Sequence, residues 1–327
     1  MRVCIYGAGA IGGFIGASLA ALPGQAVSAV ARGETLAALR AHGWRLRRDG
    51  DLQVAPCAAA SDDPADLGAQ DLVVVAVKAT ALAAVATRIA PLLGPGTLVL
   101  PAMNGVPWWF GAGCDAIGAE PLASVDPGGL AAAAIPLPMV LGCVVHASAF
   151  VASPGLVEQR KGQGLIIGEP LGGTSPRAEA LGALLRQAGF EVNVSDHIRR
   201  DIWYKLWGNM TMNPITAITG ATVDRVLDDA DLRGFCSAVM REAAMVGARI
   251  GCAIDQTTED RHAVTRRLGA FRTSMEQDVA AGRTIELDAL VGVVREIGRR
   301  VGVATPNIDA LLGLTRLFAQ VRGLYPT

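Results

Sequence analysis

Three polar side chains in one segment of the chain are suited to chemistry on a small polar ligand. Lys205, Asn209 and Asn213 are separated by four residues each, so on an α-helix they form one polar stripe. A lysine ammonium can donate a proton to an oxygen that gains negative charge during a reaction, and asparagine amides can hold the polar groups of a ligand. The stripe therefore predicts a proton donor with binding groups beside it.

The composition of the chain singles out this lysine further. Only three of the 29 basic residues are lysines, namely Lys78, Lys161 and Lys205, and the chain has five asparagines. An ammonium can lose its proton near neutral pH, which a guanidinium cannot. The remaining lysines are therefore candidates for proton transfer. The alternative is that a compositional bias toward arginine has left them without any special role.

A second candidate site lies near the start of the chain, between a predicted strand at Arg2–Tyr6 and a predicted helix at 12–22. Its residues are Gly7, Ala8, Gly9, Ala10, Ile11 and Gly12. Glycines at this spacing allow a tight turn and a close approach of the backbone, and the N–H groups of a helix N-terminus attract a pyrophosphate. The segment predicts a dinucleotide site, and the alternative is a turn that only packs the helix.

The end of the second predicted strand, 26–31, indicates which dinucleotide is bound. The strand is followed by Arg32 and Gly33, and no Asp or Glu stands at its tip, where an acidic side chain would bind the ribose 2′-hydroxyl of NAD. Arg32 can pair with a 2′-phosphate, so the sequence favours NADP(H). The nearby Glu34 weakens this interpretation slightly, and the alternative is a solvated arginine in a turn.

The rest of the chain indicates two domains. Strand-like apolar runs alternate with helical stretches in the first half, and two of these runs, 72–77 and 97–101, end just before Lys78 and Asn104. Ligands of open α/β folds bind at this carboxyl edge of the sheet. Helical periodicity then dominates the segments 198–213, 229–250, 258–281, 285–301 and 309–321. We predict a nucleotide-binding domain at 1–196 and an all-helical domain at 197–327.

Composition and charge exclude several classes of partner. The net charge is −1, which gives no reason to expect a nucleic acid or an anionic membrane as the partner. The six cysteines contain no CxxC pair and the four histidines do not cluster, so we expect no metal and reduced thiols in a cytoplasmic protein. Prolines interrupt the longest later apolar stretch, 128–145, which disfavours a membrane-spanning helix. The expected partner is a small molecule.

Taken together, seven motifs resemble those of the ketopantoate reductase family over essentially the whole chain. They are GAGAIG, Arg32-Gly33, VAVKAT with Lys78, AMNG with Asn104, WYKLWGNMTMNP with Lys205, RTSMEQD with Ser274, and TIELD with Glu286. The resemblance implies an NADPH-dependent reductase of 2-dehydropantoate. It also implies an α/β fold, with an N-terminal Rossmann-type doubly wound sheet and a C-terminal all-α domain like that of 6-phosphogluconate dehydrogenase, and the active site in the cleft.

The resemblance also implies roles for individual residues. Lys205 corresponds to the general acid, and Glu286 to an acidic residue near the cofactor and the lysine, although Glu286 is also placed to cap a helix. Lys78 and Asn104 correspond to residues at the nicotinamide end of the cofactor. Asn104 is also expected, with three other residues, to bind the substrate. Those three are Asn209, Asn213 and Ser274. A homodimer in the cytoplasm is the implied state.

Three departures from the family pattern concern the substrate. Thr222-Val223 and Phe271 stand where the family often has asparagines, and a longer segment after Asn104 begins with Pro107 and the aromatic run 108–110. The first expectation remains 2-dehydropantoate. An aromatic wall would instead favour a bulkier hydrophobic 2-oxo acid, and the other interpretation is that this run packs the segment onto its domain or a dimer partner. A catalytically silent NADP(H)-binding regulator is a further alternative.

Overall fold

The computed structural model describes residues 1–326, which form two compact units. The first unit contains residues 1–104 and 129–201, and the second contains residues 105–128 and the chain from 202 onward. The units differ from the predicted domains 1–196 and 197–327 mainly at residues 105–128, which belong to the helical unit.

Backbone and side-chain hydrogen bonds explain why the segment 105–128 packs with the helices. The N–H of Val106 donates to the carbonyl oxygen of Ala289 over 2.9 Å. The carboxylate of Glu296 accepts from the N–H groups of Ala123 and Ser124 at 2.9 and 2.8 Å. These partners are remote in sequence, so the local pattern of residues 105–128 could not predict them.

The strands belong to two sheets, both in the first unit. In chain order they are β1 (Arg2–Tyr6), β2 (Ala26–Val30), β3 (Trp44–Arg48), β4 (Asp51–Ala55), β5 (Ala60–Ser61), β6 (Leu72–Val75), β7 (Leu98–Pro101), β8 (Gly142–Ser153), β9 (Leu156–Gly168) and β10 (Glu191–Ser195). The first sheet is entirely parallel, with the order β5-β2-β1-β6-β7. Its four longer strands confirm the predicted strands, with ends that differ by no more than two residues.

The second sheet was not predicted from the sequence. Its order is β10-β9-β3-β4, and β8 pairs with β9 in the longest hairpin of the described residues. Strand β3 is parallel to β9 and antiparallel to β4. The pairing of β3 with β9 joins parts of the chain that are far apart in sequence.

The described residues form twelve α-helices. They are α1 (Ala10–Ala20), α2 (Gly33–His42), α3 (Leu82–Ala86), α4 (Leu130–Ala134), α5 (Pro176–Gln187), α6 (Ile198–Thr219), α7 (Val223–Asp228), α8 (Ala230–Arg249), α9 (Thr258–Arg266), α10 (Ser274–Ala280), α11 (Val293–Arg300) and α12 (Pro306–Val321). A π-helix at Asp288–Gly292 leads into α11. None of these helices combines the length and the apolar character that a bilayer-spanning segment requires.

Helix α1 is packed on several sides by the strands of both sheets. Added β-carbons at Gly12 and Gly16 would lie 3.0 and 2.9 Å from the side chain of Ile5 on β1, and at Gly16 also 2.6 Å from the ring of Trp44 on β3. A β-carbon at Gly13 would lie 2.5 Å from Val157 on β9. The glycines are therefore needed for close packing, and this burial explains why α1 lacks a polar face.

Two of the predicted helices in the second unit have different limits. The predicted helix 258–281 is interrupted between α9 and α10, where Gly269 has a φ of +65° and the hydroxyl of Thr273 accepts the N–H of Glu276 to start a new helix. The predicted helix 285–301 begins only at the π-helix. Glu286 therefore precedes the helix instead of lying inside it.

Candidate functional site

The glycine loop follows β1 directly and requires glycine at two of its positions. Gly7 has a φ of +97°, and a β-carbon there would lie 2.8 Å from the carbonyl oxygen of Ala76 and 2.7 Å from the side chain of Val77. A β-carbon at Gly12 would lie 2.0 Å from the carbonyl oxygen of Gly7. The loop is thus a tight turn between β1 and α1, packed against the segment that follows β6. This is the point where the strand order of the parallel sheet reverses, and ligands of this fold class bind there.

The N-terminus of α1 is suited to a phosphate group. Gly9 is the N-cap residue, has no side chain to satisfy the first N–H groups, and is surrounded by open space, since no atom would lie within 4 Å of its β-carbon. The first turn of α1 contains no acidic residue. Free backbone N–H groups, the positive end of the helix dipole and open space together fit the pyrophosphate of a dinucleotide.

Other predicted cofactor residues lie at the same edge of the parallel sheet. Arg32 is exposed at the N-cap position of α2, directly after β2. Lys78 follows β6 and precedes a short 3₁₀ turn, and Asn104 follows β7; both side chains are half-buried. The structure therefore brings Arg32, Lys78 and Asn104 to the carboxyl edge that also carries the glycine loop.

In the helical unit, Lys205, Asn209 and Asn213 lie on one continuous helix, α6, as predicted. Lys205 and Asn209 are half-buried, and Asn213 is 5% exposed. Within residues 1–326, neither asparagine side-chain amide has a hydrogen-bond partner. Neither amide is among the fully enclosed polar groups without a partner, so water or a ligand can reach its polar atoms, and the two amides are candidates for ligand binding.

A pair of threonines, not identified from the sequence, connects α6 to the start of α10. The hydroxyl groups of Thr216 and Thr273 are 2.7 Å apart and buried. Thr273 is the N-cap residue of α10, and the next residue, Ser274, is exposed at the first position of that helix. The two threonines thus hold Ser274 close to the half of α6 that carries Asn213. The capping pattern of Thr273 and Glu276 was a signal for the helix start, but nothing in the sequence indicated Thr216.

Glu286 lies just ahead of the π-helix and is half-buried. The following turn is packed against the chain after Asn104, because Gly105 has a φ of +83° and its backbone approaches Ala289 so closely that a β-carbon would lie 2.3 Å from the Ala289 carbonyl oxygen. A π-helix often marks a functional position. Here the π-helix follows Glu286 closely and packs against the chain just after Asn104, and both are predicted site residues.

The aromatic residues near the lysine stripe are part of the core. The indole N–H groups of Trp203 and Trp207 donate to carbonyl oxygens of Ala243 and Met240 on α8, at 3.2 and 2.7 Å. Phe110 is fully buried and its ring stacks on Trp203 with a centroid distance of 5.9 Å. The two tryptophans, each 1% exposed, are therefore core residues.

The run 108–110 is likewise buried, with Trp108 and Trp109 at 5% and 4% exposure. Of the two interpretations of this run, packing of the segment onto its own unit is therefore the one the structure supports. Trp109→Ala would open a cavity and lower the free energy of unfolding by about 3–5 kcal/mol. It is consequently a poor probe of substrate preference.

These features define the class of protein. A parallel sheet in this strand order, with a glycine loop at its carboxyl edge, is the construction used by dinucleotide-dependent oxidoreductases. Two family models match the chain: Ketopantoate reductase PanE/ApbA over residues 3–172, and Ketopantoate reductase PanE/ApbA C terminal over residues 197–319.

Individual relatives agree with these matches. The chain is 42% identical to a 2-dehydropantoate 2-reductase of Mesorhizobium japonicum, over 99% of this chain and 100% of the relative. It is 56% identical to a provisionally assigned ketopantoate reductase of Ralstonia solanacearum MolK2, whose crystal structure matches with a TM-score of 0.94 over 99% of both chains. A PanE/ApbA family ketopantoate reductase of Ralstonia eutropha JMP134 is 26% identical, with a TM-score of 0.84 over 99% of this chain and 100% of the other. The protein belongs to the ketopantoate reductase family, and the predicted resemblance and fold class are confirmed.

Proposed function

We propose that this protein reduces the keto group of 2-dehydropantoate with NADPH, giving pantoate. The observation that carries the proposal is the stripe on α6, where Lys205 shares one helix face with two amides that have no hydrogen-bond partner within the described residues. Family membership and the 42% identity to a 2-dehydropantoate 2-reductase support the choice of substrate. The role of each residue below is part of the proposal.

Lys205 is the proposed general acid. When bound, the nicotinamide cofactor would supply the hydride for the carbonyl carbon. The ammonium of Lys205 would give its proton to the carbonyl oxygen as negative charge develops there. Glu286 keeps the ammonium charged and oriented by its negative charge. The acceleration would come from holding the carbonyl in position and from stabilising the developing negative charge on its oxygen.

The amides and one hydroxyl would orient the substrate. Asn209, Asn213 and Ser274 can each donate a hydrogen bond to its oxygens, and Asn213 contributes the most buried of these groups. Asn104 is proposed to contact both substrate and cofactor. A neutral amide or hydroxyl binds an oxygen without adding charge, so the ammonium remains the strongest electrostatic partner of the carbonyl oxygen.

The cofactor proposal rests on the first unit. Gly7, Gly9 and Gly12 with the N-terminus of α1 would hold the pyrophosphate, and Arg32 the 2′-phosphate of NADP(H). Lys78 would lie at the nicotinamide end. A cytoplasmic location, expected from the cysteines and from the resemblance, stays a prediction. The homodimer and the assignment of substrate binding to the second unit stay predictions that come from the resemblance.

Oxidation of NADPH, followed at 340 nm with a panel of 2-oxo acids, tests the proposal. We expect kcat/KM to be highest for 2-dehydropantoate and higher with NADPH than with NADH. Asn213→Asp is a useful variant, because it keeps the size of the side chain while removing its N–H donors, and it should raise KM for the oxo acid. No turnover of any 2-oxo acid by protein that binds NADPH would contradict the proposal and favour a regulatory role.

A second candidate substrate is a bulkier, more hydrophobic 2-oxo acid. It is favoured by Phe271, a half-buried aromatic residue three positions before Ser274. An apolar contact contributes about 25 cal/mol per Å² of buried surface, so a ring at this place would favour an apolar acyl group. A clear maximum of kcat/KM for such an acid in the panel would replace 2-dehydropantoate as the proposed substrate.

A further inference from the structure

Arg88 is a second arginine that a chain of contacts connects to the surroundings of Arg32. The mechanism above does not use it. The N–H of Ala31 donates to the carbonyl oxygen of Ser61 over 3.0 Å, so the chain after β5 runs beside the residue that precedes Arg32. The hydroxyl of Ser61 accepts the N–H of Asp63 over 3.1 Å. The carboxylate of Asp63 then pairs with the guanidinium of Arg88, with an Oδ1–Nη2 distance of 3.6 Å.

The phenol of Tyr6, the last residue of β1, lies close to both arginines. Burial raises its pKa, and the positive charges of Arg88 and Arg32 act in the opposite direction. Screening by water and salt restricts such effects to short distances. The charges of both guanidinium groups therefore act on the same end of β1, beside the glycine loop.

Neither arginine is firmly held by another group of the protein. The guanidinium of Arg32 is exposed and has no acceptor or acidic partner within residues 1–326. The pair of Arg88 with Asp63 is open to solvent, with side-chain exposures of 45% and 56%, and an ion pair of this kind contributes little to stability. Asp63 also accepts the N–H of Ala65 over 3.1 Å, so its carboxylate keeps a partner when Arg88 moves away.

We propose that Arg88 is a further specificity-determining residue, whose guanidinium leaves Asp63 and binds the 2′-phosphate of NADP(H) together with Arg32. The proposal rests on the proposed use of NADP(H). A phosphate ester near neutral pH carries close to two negative charges, and guanidinium groups match its oxygens with paired N–H donors. NADH has only a hydroxyl at this position, so Arg88 remains on Asp63 when NADH binds. Asp63 thus holds Arg88 in place when no 2′-phosphate is bound. Its negative charge also weakens the binding of the phosphate.

Dissociation constants for NADPH and NADH, measured by titration calorimetry on the full chain, test this assignment. Arg88→Ala should weaken NADPH binding by about tenfold, because it removes one charge-assisted contact from an exposed site, and should change NADH binding by less than about twofold. Asp63→Ala should tighten NADPH binding by about threefold through the loss of a like charge. The matched control is Arg40→Ala, on the last turn of α2, where the side chain donates to the carbonyl oxygen of Ala60. This control should change neither constant.

The fragments 2′,5′-ADP and 5′-AMP extend the test to the phosphate alone. Arg88→Ala should weaken the first and leave the second unchanged. Equal weakening of both cofactors, or of neither, by a folded Arg88→Ala protein would overturn the assignment. If the wild type prefers NADPH and loses this preference with Arg32→Ala but keeps it with Arg88→Ala, only the role of Arg88 is refuted. If the wild type shows no preference for NADPH, the proposed cofactor fails first, and this proposal with it.

Discussion

The backbone N–H of Val223 donates to the carbonyl oxygen of Phe271 over 3.0 Å. These are the two positions where the family pattern leads one to expect asparagines, so the two departures are neighbours in space. Val223 is 1% exposed at the start of α7, whereas Phe271 is half-buried in the loop before α10. The two expected departures from the family pattern therefore lie side by side in the helical unit.

The first prediction concerns substrate selectivity and uses Phe271→Asn. An amide at this position removes apolar contact surface and offers a hydrogen bond, so kcat/KM for 2-dehydropantoate should rise relative to a hydrophobic 2-oxo acid by about tenfold, which corresponds to about 1.4 kcal/mol. The ratio of the two kcat/KM values is the measurement. Val264→Asn, an exposed position on α9, is the matched control and should leave the ratio unchanged. An equal ratio in wild type and Phe271→Asn would show that this position does not contact the acyl group.

The second prediction concerns Lys205. Lys205→Ala should lower kcat by about 100-fold to 10,000-fold while the Kd for NADPH stays nearly constant, because a general acid acts on the chemical step. Lys205→Arg should be similarly slow, since a guanidinium keeps its proton. The control is Lys161→Ala on β9, where the lysine is exposed. A folded Lys205→Ala enzyme with nearly full kcat would remove Lys205 from the mechanism.

The third prediction concerns the stability of the segment 105–128 and its dependence on pH. Burial of Glu296 favours its neutral form, but hydrogen bonds from the N–H groups of Ser124 and Ala123 and from Arg300 outweigh burial and lower its pKa. Because the pKa is lower in the folded protein, this carboxylate stabilises the fold fully above its unfolded pKa, near 4.3, and less as the pH falls through the folded value.

Glu296→Gln should therefore lower the free energy of unfolding by about 1.5–3 kcal/mol at pH 7, with a smaller difference from wild type near pH 3. Urea unfolding at the two pH values measures this difference. Glu120→Gln is the matched control, since the side chain of Glu120 is exposed in the same segment. A difference that stays constant between pH 7 and pH 3 would contradict the assigned role of the Glu296 charge.

The fourth prediction compares two glycines in the segment 105–128. Gly105 and Gly118 have nearly equal φ values of +83° and +86°, but a β-carbon clashes with Ala289 only at Gly105 and meets no atom within 4 Å at Gly118. Gly118→Ala should lower the free energy of unfolding by about 1 kcal/mol, through backbone strain alone. Gly105→Ala should lower the free energy of unfolding clearly more. It should also lower kcat/KM, because the backbone shift that relieves the clash would reach Asn104 and the turn after Glu286. Equal losses in unfolding free energy for the two variants would mean that the close approach at Ala289 is unimportant.

Local patterns in the sequence predicted the features that depend on neighbouring residues. Strand β1 and the stripe on α6 follow from apolar runs and from the four-residue spacing of Lys205, Asn209 and Asn213. The second sheet was missed because its strands pair across distant parts of the chain, as β3 does with β9, although Trp44 and Leu46 alternate with arginines as in a strand. The contact of Thr216 with Thr273 was missed for a related reason: it joins a residue inside α6 to the N-cap residue of α10, and only the N-cap has a local signal.

The packing around α1 has a consequence for how the chain folds during synthesis. The glycines of α1 lie against β1, which is made at the same time, but also against β9, which emerges from the ribosome more than a hundred residues later. Until then this apolar helix has no cover on that side, and an early nascent chain presents a surface that attracts chaperones or other chains. The dinucleotide loop at the start of α1 is thus among the first segments translated, but it gains its final support only when about half of the chain has been made.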